Sequence, residues 1–188
     1  MRDLQLLSMA AAPTPEKLFE GLLTDEGEEL CALLDGASVP GLLERLDADR
    51  SLEVECLFHG RLEPDMAEVA PYLVKLSLES EFTEWLVGTG WGHHWGSFVT
   101  SRASFRRLRN HLRALTLIYR RDGMPLYFRY YDPRVLRIFL PTCSTEQLKQ
   151  MFGPVDAFLA ESEAGDALGI YRLSGDELSS VQRKLGGG

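Results

Sequence analysis

Cysteine is scarce in this sequence: Cys31, Cys56 and Cys143 are the only three in 188 residues. Their odd number and wide spacing exclude a disulfide framework and a cysteine-based zinc module, and fit reduced thiols buried as small apolar residues. Long apolar runs are missing as well. Stretches such as Leu30–Leu34 and Ile138–Leu140 fall far below the ~20 residues that cross a bilayer, so no membrane insertion is expected. A secretory leader is not evident, because the mixed segment Leu4–Ala12 is broken by Pro13 and Pro15, and Met9–Ala12 resembles only a cleavage end. The cytoplasm is the expected compartment. Lysine is rare, 4 against 16 arginines, which favours bidentate or stacked contacts over simple solubilising charge. No phosphate-binding glycine loop, nucleophile elbow, zincin motif or internal repeat is present.

What is there is ordinary globular composition, 45% hydrophobic and 26% charged. A chain of this length hides roughly 70% of its unfolded surface in one core. The net charge of −8 conceals an uneven distribution, since residues 102 to 137 hold ten arginines against Asp122 and Asp132. A basic face on an acidic protein is a recognition signal.

Three parts are expected: an N-terminal helical or flexible arm over 1–28, an α/β domain over 29–173, and a short C-terminal helix with a flexible glycine tail over 174–188. Within the arm, Pro15 to Leu23 reads as a helix capped by Thr14. Leu30 to Leu34 is a buried strand ended by Asp35-Gly36, and Pro40 to Leu46 a short helix. Val54 to Phe58 and Tyr72 to Leu76 follow as strands. Ser80 caps a helix from Glu81, and Gly96 to Thr100 returns to strand. Ser101 to Leu115 is the clearest helix, with Phe105, Leu108, Leu112 and Leu115 on one face and arginines on the other. Thr116–Tyr119 and Leu126–Tyr131 form a hairpin around Asp122-Gly123. Asp132 caps a helix that opens on Pro133 and is ended by Pro141. Ser144 caps another helix, Val155–Glu161 and Leu168–Leu173 are strands, and Ser174–Lys184 reads as a last helix. The fold class is therefore α/β (α+β), a mixed sheet with flanking helices in a single domain.

For chemistry, His93 and His94 are adjacent and would point opposite ways on an extended chain, so a shared metal ion is not expected. The nearby glycines let Trp91 and Trp95 approach the backbone, as core or as interface anchors. Cys143 has no local histidine, and a meeting with His59 or His111 would need the fold to supply it. The strongest constellation runs from Tyr127 to Thr142. A strand presenting aromatics and Arg129 feeds a helix whose first turn is fixed by Asp132 and Pro133. One reading is structural, with Asp132 a cap, Arg134 bracing it and Leu136, Phe139 and Leu140 in the core. The other is a rigid arginine and aromatic platform for a protein partner.

Several segments resemble, in the same order, the motifs of the adaptor chaperones that load effectors onto the type VI secretion spike. These are Leu33-Leu34-Asp35-Gly36-Ala37, Ala67 to Leu73, Trp91-Gly92 to Trp95-Gly96, and above all Arg129 to Thr142. The resemblance covers about residues 30 to 160. It implies a cytoplasmic protein that binds a cognate secreted effector, near an N-terminal or membrane-directed helical segment, and hands it to the trimeric spike tip protein. It implies no catalytic residue, metal or cofactor. Many such proteins continue into a helical C-terminal lobe, whereas this chain ends soon after Leu173, as a single-lobe or truncated member would.

The expected partner-binding residues are Arg129, Tyr131, Arg134, Arg137, Phe139, Trp91 and Trp95, with Asp132, Pro133, Asp35 and Gly36 holding the motif. The expected function is binding, not catalysis. One alternative is a nucleic-acid or phosphate-binding regulator using the basic stretch, which the acidic remainder opposes. A second is a small hydrolase using Cys143 or a histidine, which selective labelling of that thiol would reveal.

Overall fold

The computed structural model describes residues 12–20, 22, 27–120 and 122–185. The apolar run at residues 30–34 lies at the centre of the fold because its side chains alternate between two cores. Strand β1 (Glu29–Asp35) sends Leu30, Ala32 and Leu34 to one face and Cys31 and Leu33 to the other. The first face is covered by α1 (Pro15–Phe19), α2 (Leu42–Ala48) and α4 (Glu81–Gly90) through Leu18, Leu42, Leu46, Phe82 and Leu86. The second is covered by α5 (Phe105–Leu115), α6 (Pro133–Phe139) and α7 (Thr145–Phe152) through Leu108, Leu112, Leu136, Leu148 and Phe152. Helix α3 (Pro64–Val69) buries no residue.

The remaining strands are β2 (Val54–Cys56), β3 (Pro71–Lys75), β4 (Gly96–Ser101), β5 (Leu117–Tyr119), β6 (Pro125–Tyr127), β7 (Ala157–Glu161), β8 (Ala167–Ser174) and β9 (Glu177–Lys184). Seven of the nine form one sheet in the order β2-β3-β1-β4-β7-β8-β9, and β5 and β6 pair separately. The α/β class and flanking helices are those expected, but every pairing is antiparallel, where a mixed sheet was expected. The physical reason is the placing of the crossovers. From β1 through α2 the chain returns in the same direction one position too far out, and β3 fills the gap antiparallel to both. The connection from β3 through α4 to β4 straddles β1 in the same way.

Two further expectations are corrected. The segment expected as a C-terminal helix is β9, paired with β8 along its length. Leu178, Val181 and Leu185 mimic helical spacing. Gly175, however, at φ +61° between the paired residues Ser174 and Glu177, is a glycine at the first position of a two-residue hairpin turn. The expected glycine tail at 186–188 and the start of the arm at 1–11 lie outside the described residues. The described part of that arm is not an appendage, because Leu18 and Leu22 are fully buried in the first core. Arg183 on β9 donates to the carbonyls of Leu18 at 2.8 Å, of Lys17 at 3.2 Å and of Glu20, satisfying carbonyls that a short helix leaves unpaired at its C-terminus.

Candidate functional site

The expected motif residues gather at one end of the sheet, where β1 and β7 finish and β3, β4 and β8 begin. Asp35 closes β1 and is 1% exposed. Its carboxylate accepts from the Ala37 N–H at 3.3 Å and the Ser38 hydroxyl at 2.9 Å, fixing the turn. Gly36 is required there, since a Cβ would stand 2.5 Å from the carbonyl oxygens of both Glu68 and Ala70. The remaining demand of the buried Asp35 carboxylate is met by Arg129, which donates to Oδ2 from 94 residues away. Partial burial works against the Arg129 cation, but its bond and charge contact with Asp35 outweigh that and raise its pKa.

Asp132 caps α6 as expected. Its Oδ1 accepts from the Arg134 N–H at 2.9 Å and Nε at 3.0 Å, and its Oδ2 from Nη2 at 2.7 Å. Burial pushes the Asp132 carboxyl upward, yet the Arg134 bonds prevail and hold it below the usual carboxylate range. Pro133 is buried at the first turn, and Tyr131 is buried beside it, its phenol pushed up to about 12 by burial and then by Asp35. Tyr130, fully buried, donates to the Leu112 carbonyl at 2.8 Å and so ties this corner to α5.

A second knot adjoins the first through the Asp35 N–H, which donates to the Trp95 carbonyl at 2.9 Å. Glu161, buried at the end of β7, accepts from the Gly92 N–H at 2.5 Å and the His94 N–H at 2.9 Å, and lies 2.5 Å from His94 Nδ1. His94 has φ +58°, a left-handed conformation uncommon outside glycine, held by these bonds. Arg137 donates to the Glu161 carbonyl at 2.6 Å, and the buried Trp91 indole donates to the Gly165 carbonyl at 2.7 Å. Trp95 leaves this knot, its half-buried ring meeting Trp85 at 5.2 Å. Phe139 is half-buried, edge-on to Phe128 at 4.6 Å.

The structure thus joins Arg129, Tyr131, Arg134, Asp132, Pro133, Asp35 and Gly36, links Arg137 and Trp91 to them through Glu161 and its neighbours, and sets Trp95 and Phe139 into the two cores. The arginine side chains at 129 and 134 remain 46% and 51% exposed, so each presents an outer edge to solvent while its inner edge braces a carboxylate. Glu161 and His94 are partners that no local motif reveals, since they lie 67 residues apart in the chain.

A feature of another kind stands on the same basic stretch. Hairpin β5–β6 leaves Ile118, Tyr119, Met124, Leu126 and Tyr127 between 44% and 68% exposed. Ile118 faces Leu126 across the pair, while Tyr119 and Tyr127 share the opposite face with Leu117 and Pro125. Apolar side chains therefore occupy both faces of a two-stranded ribbon, a unit marginal in water by itself. The ring of Tyr127 touches Phe58 at 4.6 Å.

For the hydrolase alternative, the Cys143 thiol donates to the Phe139 carbonyl at 3.4 Å and its pKa is raised by burial, the reverse of an activated thiolate. His111 is engaged with the Met151 carbonyl at 2.9 Å. Among the described residues, no group of three or more His, Cys, Asp or Glu side chains is placed to hold a metal ion, and no helix is long and apolar enough to cross a membrane.

No curated protein and no solved structure matches this chain. One family model does, over residues 30–150, about two thirds of the length, from β1 through the Asp35–Arg129–Asp132–Arg134 network and into α7. The chain belongs to the family described as Domain of unknown function, DUF4123.

Proposed function

We propose that this protein is a cytoplasmic adaptor chaperone that binds a cognate type VI secretion effector and helps to load it onto the spike tip protein. The observation that carries this reading is the β5–β6 hairpin, an apolar ribbon exposed on both faces within the most basic stretch of a DUF4123 chain. Contiguous exposed apolar surface of this kind marks interaction sites, and aromatic and arginine side chains are the types that dominate binding energy. An effector segment with apolar and acidic residues complements both.

The nucleic-acid alternative is weakened by where the arginines go. Arg102, Arg109, Arg129 and Arg134 each pair with a carboxylate, Arg113 bonds the Cys56 carbonyl, and Arg137 bonds the Glu161 carbonyl. Part of the positive charge is thus answered by carboxylates within the fold, which reduces the field open to a phosphate backbone.

The test is co-expression with the neighbouring effector, followed by recovery of soluble complex at low salt and at ~0.5 M salt, where charge contacts alone are screened. The adaptor reading expects a complex that survives the higher salt. A failure to recover any effector, or capture of random DNA in its place, overturns it.

A further inference from the structure

The β5–β6 hairpin has two outer edges, and they are not equivalent. The Phe128 N–H donates to the Thr116 carbonyl and the Arg120 N–H to the Met124 carbonyl, both at 2.9 Å, with Ile118 opposite Leu126 between them. In an antiparallel pair this alternation turns the backbone groups of the even-numbered residues inward and those of the odd-numbered residues outward. On β6 the outward residues are Pro125 and Tyr127, and Pro125 has no N–H to offer, so that edge is blunted. On β5 they are Leu117 and Tyr119, whose N–H and carbonyl groups have no hydrogen-bond partner among the described residues. The outer strands of the large sheet are protected by other means. Arg113 bonds the Cys56 carbonyl at the end of β2, and β9 carries mostly polar residues, with Arg183 drawn across to α1.

Resting on the adaptor reading, we propose that the outer edge of β5 receives an extended segment of the partner protein as a third strand, and that this segment alternates apolar with acidic residues. Main-chain pairing at Leu117 and Tyr119 supplies the register, while alternate side chains meet Ile118 on one face and Tyr119 on the other. Charge selects the occupant. The sequence around the edge, residues 113–129, holds Arg113, Arg120, Arg121 and Arg129 against the single acid Asp122. Asp122 answers Arg120 at 3.5 Å and Asp35 answers Arg129, and the positive balance that remains attracts an acidic strand and repels the hairpin of a second copy. A strand thus takes the place of the helical segment expected from sequence, because the free groups belong to a sheet edge.

The experiment measures amide hydrogen exchange in the full chain with a synthetic peptide of alternating Val and Glu. The amides of Leu117 and Tyr119 should slow by about tenfold or more, while those of Ile118 and Phe128, already bonded in the hairpin, change little. The same peptide N-methylated at alternate residues, so that one edge cannot pair, should give no protection, and a Val and Lys peptide should give far less. Tyr119→Pro removes one outward N–H and should abolish binding, whereas Tyr119→Ala keeps that N–H and should retain the protection at Leu117. Lack of protection, equal binding of the N-methylated or lysine peptide, or a dimer formed by the chain alone through this edge would each overturn the proposal. The adaptor reading is judged separately. Full capture of the effector by Tyr119→Pro would sink the edge and leave the adaptor standing, and no capture by the wild type would sink the adaptor even if the peptide protects.

Discussion

The charged end of the sheet and the β5–β6 hairpin arise from the same arginine-rich stretch, yet they treat their side chains in opposite ways. At the sheet end, Asp35, Asp132 and Glu161 are nearly sealed from water, and arginines close over the two aspartates. In the hairpin, apolar side chains stand in water and two residues of one strand have outward backbone groups with no partner among the described residues. A buried carboxylate is costly unless every lone pair is met, so the arginines of the first region are committed to architecture. An exposed edge is a liability unless it is blunted or used. Only one edge of the hairpin is blunted, by Pro125. Density of arginine in a sequence therefore does not by itself locate a binding face; what matters is how many carboxylates the fold brings to meet it.

The largest expected effect that would sharpen this contrast is at Gly96, which starts β4 beside the braced end. A Cβ there would run into the Leu33 carbonyl of the neighbouring strand. Gly96→Ala should cost at least about 3 kcal/mol in denaturant unfolding through backbone overpacking. A loss under half of that would mean the braced end is softer than its contacts imply.

Next comes Arg129→Met, which strands the Asp35 carboxylate with one hydroxyl and one backbone N–H. A loss of about 3 kcal/mol near neutral pH is expected, and Asp35→Asn in the same chain should recover most of it. If the single variant proved as stable as wild type, Arg129 would be a surface group in effect, and the division between the two regions would break.

Asp132→Asn should be milder, about 1 kcal/mol, because Asn still caps but loses the ionic bonds to Arg134. The folded Asp132 carboxyl is held below its ordinary value. Its contribution is therefore complete above the unfolded pKa of about 3.9 and is lost as pH falls through the folded value below it. Stability measured against pH should fall less steeply on acidification in Asp132→Asn than in wild type. Parallel profiles would show that this carboxylate adds no acid sensitivity.

The smallest effect on stability is expected in the hairpin. Tyr119→Ser with Leu126→Ser should change the unfolding free energy by less than about 0.5 kcal/mol, while recovery of the effector complex falls sharply. Val181→Ser, at an equally exposed apolar residue on β9, should leave that recovery unchanged. Equal losses in both would show that surface apolarity in general, and not this hairpin, supports the complex.

Much of the fold was legible because local rules agree with the global arrangement. Asp132-Pro133 and Ser144 announce helix starts, and Asp122-Gly123 announces the hairpin, since capping and turn geometry are set by a few adjacent residues. The β9 segment reads as a helix in sequence because the spacing of Leu178, Val181 and Leu185 suits one, and the competing turn at Gly175 depends on pairing with β8. The capping of α6 by Asp132 is readable, whereas the Asp35–Arg129 contact is not, because that pair is joined by topology and not by spacing. The same holds for Glu161 and His94. The hairpin itself is legible, but its exposure on both faces is not, because Leu117-Ile118-Tyr119 and Leu126-Tyr127-Phe128 look no different in sequence from strands that pack.

The clasp of Arg183 over α1 bears on the order in which the molecule can be completed during synthesis. Helix α1 leaves the ribosome before the sheet does, but the guanidinium that satisfies its last carbonyls belongs to a strand made 165 residues later. β9 in turn needs β8 as its template. Until both have emerged, α1 lacks the brace at its C-terminal carbonyls. A nascent chain arrested after Glu161 should therefore hold α1 loosely, even though the strands from β1 to β7 are already present, and limited proteolysis of such arrested chains would cut first near residues 15–22.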